Sequence, residues 1–133
     1  MSKWISEKIL KEMVKKRIMI AGSKVLILGF TFKENCPDTR NTKVLDLYKK
    51  LVEYEIDCTI VDPIVDPKDC HQRYGIEIHN NIEVKKYDVI ILLLAHKEFL
   101  ELTLEKWKNL INQKSIIFDL KGIVPLSLNP LRV

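Results

Sequence analysis

The chain has 133 residues, 47% of them apolar and 30% charged, enough for one hydrophobic core and too few for two full domains. Its net charge of +4 is diluted by interspersed acidic residues, which argues against the basic stripe of a nucleic-acid binder. The longest apolar run, residues 89–95, is too short to span a bilayer, and the three cysteines are too scattered for a disulfide scaffold or a close-spaced metal site.

No secretory leader is visible at the start, so the cytoplasm is the default compartment. Ile5, Ile9, Leu10, Met13 and Val14 recur at helical spacing and form one apolar stripe among lysines. Such a stripe needs a cover. It packs back on the domain, pairs with a symmetry mate, or is the end of a longer helix. Gly22 ends the pattern, and KVLILGF (24–30) reads as a buried strand.

A polar segment, TFKENCPDTRN (31–41), leads into a second helix marked by Val44, Leu45, Leu47, Tyr48, Leu51 and Val52, with a start near Thr39. Residues 57–61 return to β type and end at Asp62-Pro63. Asp66 and Pro67 form an N-cap and first-turn pair, and Gly75 closes that short helix. Ile76 and Ile78 suggest a brief strand, and residues 87–94 a strong one. One helical stretch then runs through Phe99, Leu100, Leu104, Trp107, Leu110 and Ile111. Residues 115–118 give a last strand, and the tail from Pro125 is irregular. Nearly continuous apolar strands separated by helices predict an α/β domain with a mainly parallel sheet covered on both faces, preceded by a helix.

In such a sheet every strand's carboxyl end lies on one rim, the usual ligand crevice. Lys33, Glu34, Asn35, Asp38 and Arg40 follow the first strand; Asp62, His96, and Asp119 with Lys121 and Gly122 follow later ones. Lysine and arginine there can neutralise a diphosphate. Each residue also has a plainer reading. Lys33 and Lys121 can be solvent-facing charges, and Asp38 and Arg40 can cap and brace the second helix. Asn35 can fix its loop through the backbone, Gly29 can permit close packing, Asp62 can hold a turn, and His96 can be a hydrogen-bonded structural imidazole. His71 and His79 have no carboxylate or thiol cluster beside them, so no metal is assigned. LGFTFKENC has one glycine where a G-x-G-x-x-G turn needs three, so no independent NAD site is expected.

The run VLILGFTFKENCPDTRNTKVLDL (25–47) strongly resembles the start of the C-terminal domain of UDP-glucose/GDP-mannose dehydrogenases. The shared pattern is carried by Gly29, Phe32, Lys33, Asn35, Asp38 and Arg40. VDP (61–63), LLLAHKEF (92–99) and IIFDLKGIVP (116–125) match in order, and the AHKEF and FDLKG variants look most like the branch handling UDP-N-acetylhexosamines for polysaccharide synthesis.

The resemblance implies a three-layer Rossmann-like fold, with residues 1–21 as the end of a connecting helix and 22–133 as the nucleotide-sugar-binding domain. Such enzymes oxidise the sugar C6 alcohol to a carboxylate with two NAD+ through a cysteine thioester. The NAD-binding domain and the catalytic cysteine lie in parts not visible here. No residue of this chain is therefore assigned a catalytic role, Cys36, Cys58 and Cys70 included, and the chain alone is expected to be inactive and to bind no cofactor tightly.

By the same resemblance Lys33 and Lys121 face the UDP-sugar, and Arg40 lies near the cofactor diphosphate or steadies the loop. Gly29, Asn35, Asp38, Asp119 and Gly122 order the loops. Some relatives carry arginine at the position of Lys121; lysine keeps the charge and loses the planar fork. Partners implied are a UDP-N-acetylhexosamine, the missing domains, and a homo-oligomeric mate in the full-length protein, with no nucleic acid or membrane. Two other readings stay open: a stand-alone domain for another phosphate-bearing metabolite, and a structural or oligomerisation domain.

Overall fold

Apolar residues alternate along the first strand, with Val25 and Ile27 feeding one hydrophobic cluster and Leu26 and Leu28 the other. This two-sided burial requires helices on both faces. The computed structural model describes residues 2–31, 33–39 and 42–132 and has that architecture.

Five parallel strands, β1 (Lys24–Leu28), β2 (Asp57–Val61), β3 (Ile78–His79), β4 (Tyr87–Leu92) and β5 (Ile111–Asp119), lie in the order β3-β2-β1-β4-β5. The helices are α1 (Ser2–Lys15), α2 (Thr42–Glu53), α3 (Pro67–Tyr74), α4 (Lys97–Leu100) and α5 (Leu104–Lys108). Ile5, Ile9 and Met13 of α1 join Val44, Leu47 and Leu51 of α2 and Cys70 of α3 in one cluster, while Phe99 of α4 and Trp107 of α5 cover the other face. The Ile5, Ile9 and Met13 part of the α1 stripe is thus covered by the domain itself, while Val14 stays exposed.

Helix α1 stops seven residues short of Gly22, at Lys15. Arg17 takes a left-handed φ of 58°, and the amides of Arg17 and Ile18 bond back to the carbonyls of Val14 and Met13. This is a Schellman closure made without glycine. Helix α3 follows its sequence signals: Asp66 accepts the Lys68 amide, Pro67 opens the first turn, and Gly75 ends it at φ 69°.

Other boundaries differ from expectation too, β4 ending at Leu92 rather than at 94 among them. Helix α2 starts at Thr42 rather than near Thr39. The stretch after β4 is two short helices rather than one, because the Thr103 hydroxyl accepts the Lys106 amide and starts α5 afresh. Strand β5 begins at Ile111, with a register break between Tyr87 and Val89 on its partner. Polar residues hide that start: Ser115 Oγ bonds the Tyr87 carbonyl and accepts the Asn112 amide, so the chain bulges and returns to the sheet. The tail also returns, with Leu131 bridging Phe118 and shielding the outer edge of β5. Among the described residues, no helix is long and apolar enough to cross a membrane.

Candidate functional site

The register sets Leu28 level with Val61 and Leu92, and Leu92 level with Asp119. The residues that follow these positions therefore share one rim. Strand order reverses between β1 and β4, the topological switch point where open α/β sheets bind ligands. At that point the loops after β1, β2 and β4 are tied by one buried network.

Its centre is Asp62, directly after β2 and shielded from solvent. Oδ2 accepts the amides of Phe30 (2.8 Å) and Thr31 (3.1 Å), and Oδ1 accepts the amide of Ile64 (3.0 Å). His96 Nε2 lies 2.8 Å from Oδ2, and the ring is also fully buried. The Asn35 amide donates to Nδ1 of that ring at 3.0 Å, so Nδ1 is the acceptor and Nε2 carries the proton shared with Asp62. Burial by itself would raise the Asp62 carboxyl. Hydrogen bonds from His96 and from the Phe30, Ile64 and Thr31 amides outweigh burial and hold it below the ordinary aspartate value. The Thr31 hydroxyl also lies 3.1 Å from His96 Nε2 and donates to the Lys33 carbonyl, so the network braces the loops.

Asn35 sits at a left-handed φ of 56°, which asparagine tolerates better than most residues. Its side-chain oxygen accepts the Lys97 amide at 2.9 Å, and the Thr31 hydroxyl bonds the Lys33 carbonyl at 3.1 Å. Residues 33 and 35 are therefore both fastened. Lys33 itself is exposed, and Glu34 between them is half-buried.

The loop after β5 is organised by Asp119, which is 1% exposed. Its carboxylate accepts the amides of Lys121 (3.2 Å), Gly122 (2.8 Å) and Val124 (2.8 Å), plus Arg132 Nε at 3.2 Å. Gly122 has φ 72°. Lys121 Nζ lies 2.9 Å from Glu34 Oε1, which joins this loop to the one after β1. The loops that bear Lys33 and Lys121 thus meet at one corner. Asp38 is half-buried in the segment before α2, and Arg40 and Phe32 lie outside the described residues.

The Phe30 and Thr31 amides, which a dinucleotide turn would aim at phosphate, are spent on Asp62. Gly29 uses its missing Cβ for packing, because an added methyl would come within 2.8 Å of Leu94 Cβ. Among the described residues no group of His, Cys, Asp or Glu is placed to hold a metal. Among the concave regions elsewhere are a groove of about 720 Å³ lined by α3 and Ile78 and a more apolar one of about 340 Å³ beneath Phe99 and Leu102. Neither is lined by Lys33 or Lys121.

The plainer readings of Asp62 as holding a turn and of His96 as a hydrogen-bonded imidazole fit this network, but the sequence offers no means of pairing the two across 34 residues. It also left Glu34 without a partner. The nearest available signal was their common position just past strand ends.

This strand order, with charged loops gathered at the carboxyl rim, defines a Rossmann-like α/β domain of the nucleotide-binding kind. The chain belongs to the UDP-glucose/GDP-mannose dehydrogenase family: residues 26–125 match the model of its UDP binding domain. It is 39% identical over its whole length to a UDP-N-acetyl-D-glucosamine 6-dehydrogenase of Salmonella typhi, covering 31% of that protein. It is 38% identical, again over its whole length, to the enzyme of the same name from Pseudomonas aeruginosa, covering 32% of it. The chain thus spans about a third of these curated relatives. The crystal structure of NDP-N-acetyl-D-galactosaminuronic acid dehydrogenase from Methanosarcina mazei Go1 superposes with a TM-score of 0.81 at 21% identity, over 99% of this chain and 28% of that one. At that identity the likeness shows the shared fold.

Proposed function

We propose that this chain binds the UDP part of a UDP-N-acetylhexosamine at the corner between the loops after β1, β4 and β5. In this reading it is the C-terminal domain of an NAD-dependent nucleotide-sugar 6-dehydrogenase. The observation that carries the reading is the joining of the Lys33 and Lys121 loops through Glu34, at the rim of a domain from a UDP-binding family. Lys33 and Lys121 supply positive charge to the diphosphate. Asn35, Asp38, Asp119, Gly29 and Gly122 order the loops that present them, and Arg40 serves the cofactor diphosphate or the loop itself. Residues 1–21 carry the end of the connecting helix, as α1.

Oxidation at C6, the NAD+ site and the thioester cysteine belong to the remainder of the parent enzyme, which works in the cytoplasm as a homo-oligomer. In this reading closure by the other domains excludes water from the corner and strengthens the lysine–phosphate attraction.

Calorimetric titration with UDP, UDP-N-acetylglucosamine and NAD+ tests the reading. Saturable binding of the UDP compounds is expected, weakened roughly tenfold by Lys33→Met or Lys121→Met, the loss of one charge-assisted contact. Preference for NAD+ over every UDP compound, or turnover by the chain alone, would contradict it.

A further inference from the structure

We propose that Glu34 is an internal anion that occupies Lys121 until a ligand with more negative charge displaces it, so that the corner selects diphosphates over singly charged anions. The inference rests on the proposed UDP reading and adds to it a residue that sets ligand charge.

Geometry supports the exchange. Glu34 Oε1 and Lys121 Nζ are 2.9 Å apart, and their side chains keep 33% and 38% of their exposure, so solvent and an incoming anion reach both. The backbone around Glu34 is fixed one residue to either side. The Lys33 carbonyl is held by the Thr31 hydroxyl, and the Asn35 amide by the buried His96 ring. Displacement therefore requires only rotation of the Glu34 side chain, with no loop rearrangement. The ion pair also joins the end of β5 to the loop after β1, across the switch point where ligands of such sheets lie.

The electrostatics of the pair agree with this role. The hydrogen bond from Lys121, and next the backbone amide of Glu34, hold its carboxyl below the ordinary glutamate value; Ala95 contributes a further backbone bond. The carboxylate thus sits on the Lys121 ammonium, where a phosphate oxygen would seek its partner. A single carboxylate charge competes evenly with a singly charged ligand and poorly with a diphosphate. Once a diphosphate is seated, repulsion keeps Glu34 turned away.

The test is calorimetry of the whole chain with UDP and with pyrophosphate, on wild type, Glu34→Gln, Lys121→Met and the double variant. Glu34→Gln is expected to tighten both anions roughly three- to tenfold, the modest range of a partly exposed ion pair, and to have no effect once Lys121 is Met. Glu34→Ala supplies a second side chain that removes the competitor, and thermal melts verify folding. Unchanged or weaker binding by the Glu34 variants overturns the inference, as does an effect that survives in the Lys121→Met background, or no anion binding by any variant. If pyrophosphate tightens as expected while UDP gains nothing over it, the internal anion stands and the uridine nucleotide reading fails.

Discussion

Asp62 Oδ2 and His96 Nε2 stand 2.8 Å apart with both side chains fully buried, so one hydrogen bond links the end of β2 to the start of α4 across the strand between them. Because Asp62 also accepts the Phe30, Thr31 and Ile64 amides, its removal strands several buried donors at once. Asp62→Ala is expected to cost about 3–5 kcal/mol, the range for breaking a buried charged network. Urea unfolding checks this. A loss under about 1 kcal/mol would mean the network contributes little.

The same carboxylate gives the fold an acid limit. Its folded-state pKa lies below the ordinary aspartate value of 3.8, so the unfolded chain takes up the proton first as pH falls. The stabilisation is complete above that ordinary value and is lost as pH drops through the folded value. Unfolding free energies measured from pH 7 down to 3 should therefore decline at the acid end, and the decline should be shallower in Asp62→Asn. Equal slopes would remove Asp62 as its source.

Gly29 combines a φ of 110° with a neighbour, Leu94 Cβ, at 2.8 Å from where a Cβ would stand. Leu94 Cβ is fixed to its own backbone and cannot swing away. Gly29→Ala is expected to lower stability by about 2–4 kcal/mol, from left-handed strain plus the clash. A thermal melt reads it out, and an unchanged midpoint would contradict the packing role.

Thiol reactivity should differ among the three cysteines, although Cys36 and Cys58 are both half-buried and only Cys70 is fully buried. Burial, assisted by Asp57, pushes the Cys58 thiol up to about 12. Burial, assisted by Asp69 and other carboxylates, pushes Cys70 up to about 11. Neither forms appreciable thiolate at pH 8, so alkylation of the native chain should fall on Cys36, which is half-buried in the rim loop. Mass spectrometry after brief iodoacetamide treatment should find one adduct, absent in Cys36→Ser. Early labelling of Cys58 or Cys70 would contradict this.

The parts legible in the sequence are those written locally. The apolar runs of β1 and β4, the Asp66–Pro67 start and Gly75 end of α3, and the stripe of α1 each carry their own period or cap. The parts not legible depend on which strands become neighbours. Nothing near His96 announces Asp62, because their meeting follows from β1 lying between β2 and β4. Glu34 reads as one more loop charge until the end of β5 is brought against it. Strand β5 looks shorter in the sequence than it is because Asn112, Gln113 and Lys114 break its apolar pattern where the chain bulges.

The most direct test of the central claim is to titrate a ¹⁵N-labelled chain with UDP and follow its backbone amides. If UDP binds where the loops after β1, β4 and β5 meet, the amides of Glu34, Asn35, Lys97, Lys121 and Gly122 shift together with one saturation curve. Shifts confined to His71, Gln72 and Gly75 in the groove beside α3, or none at all, would contradict the account.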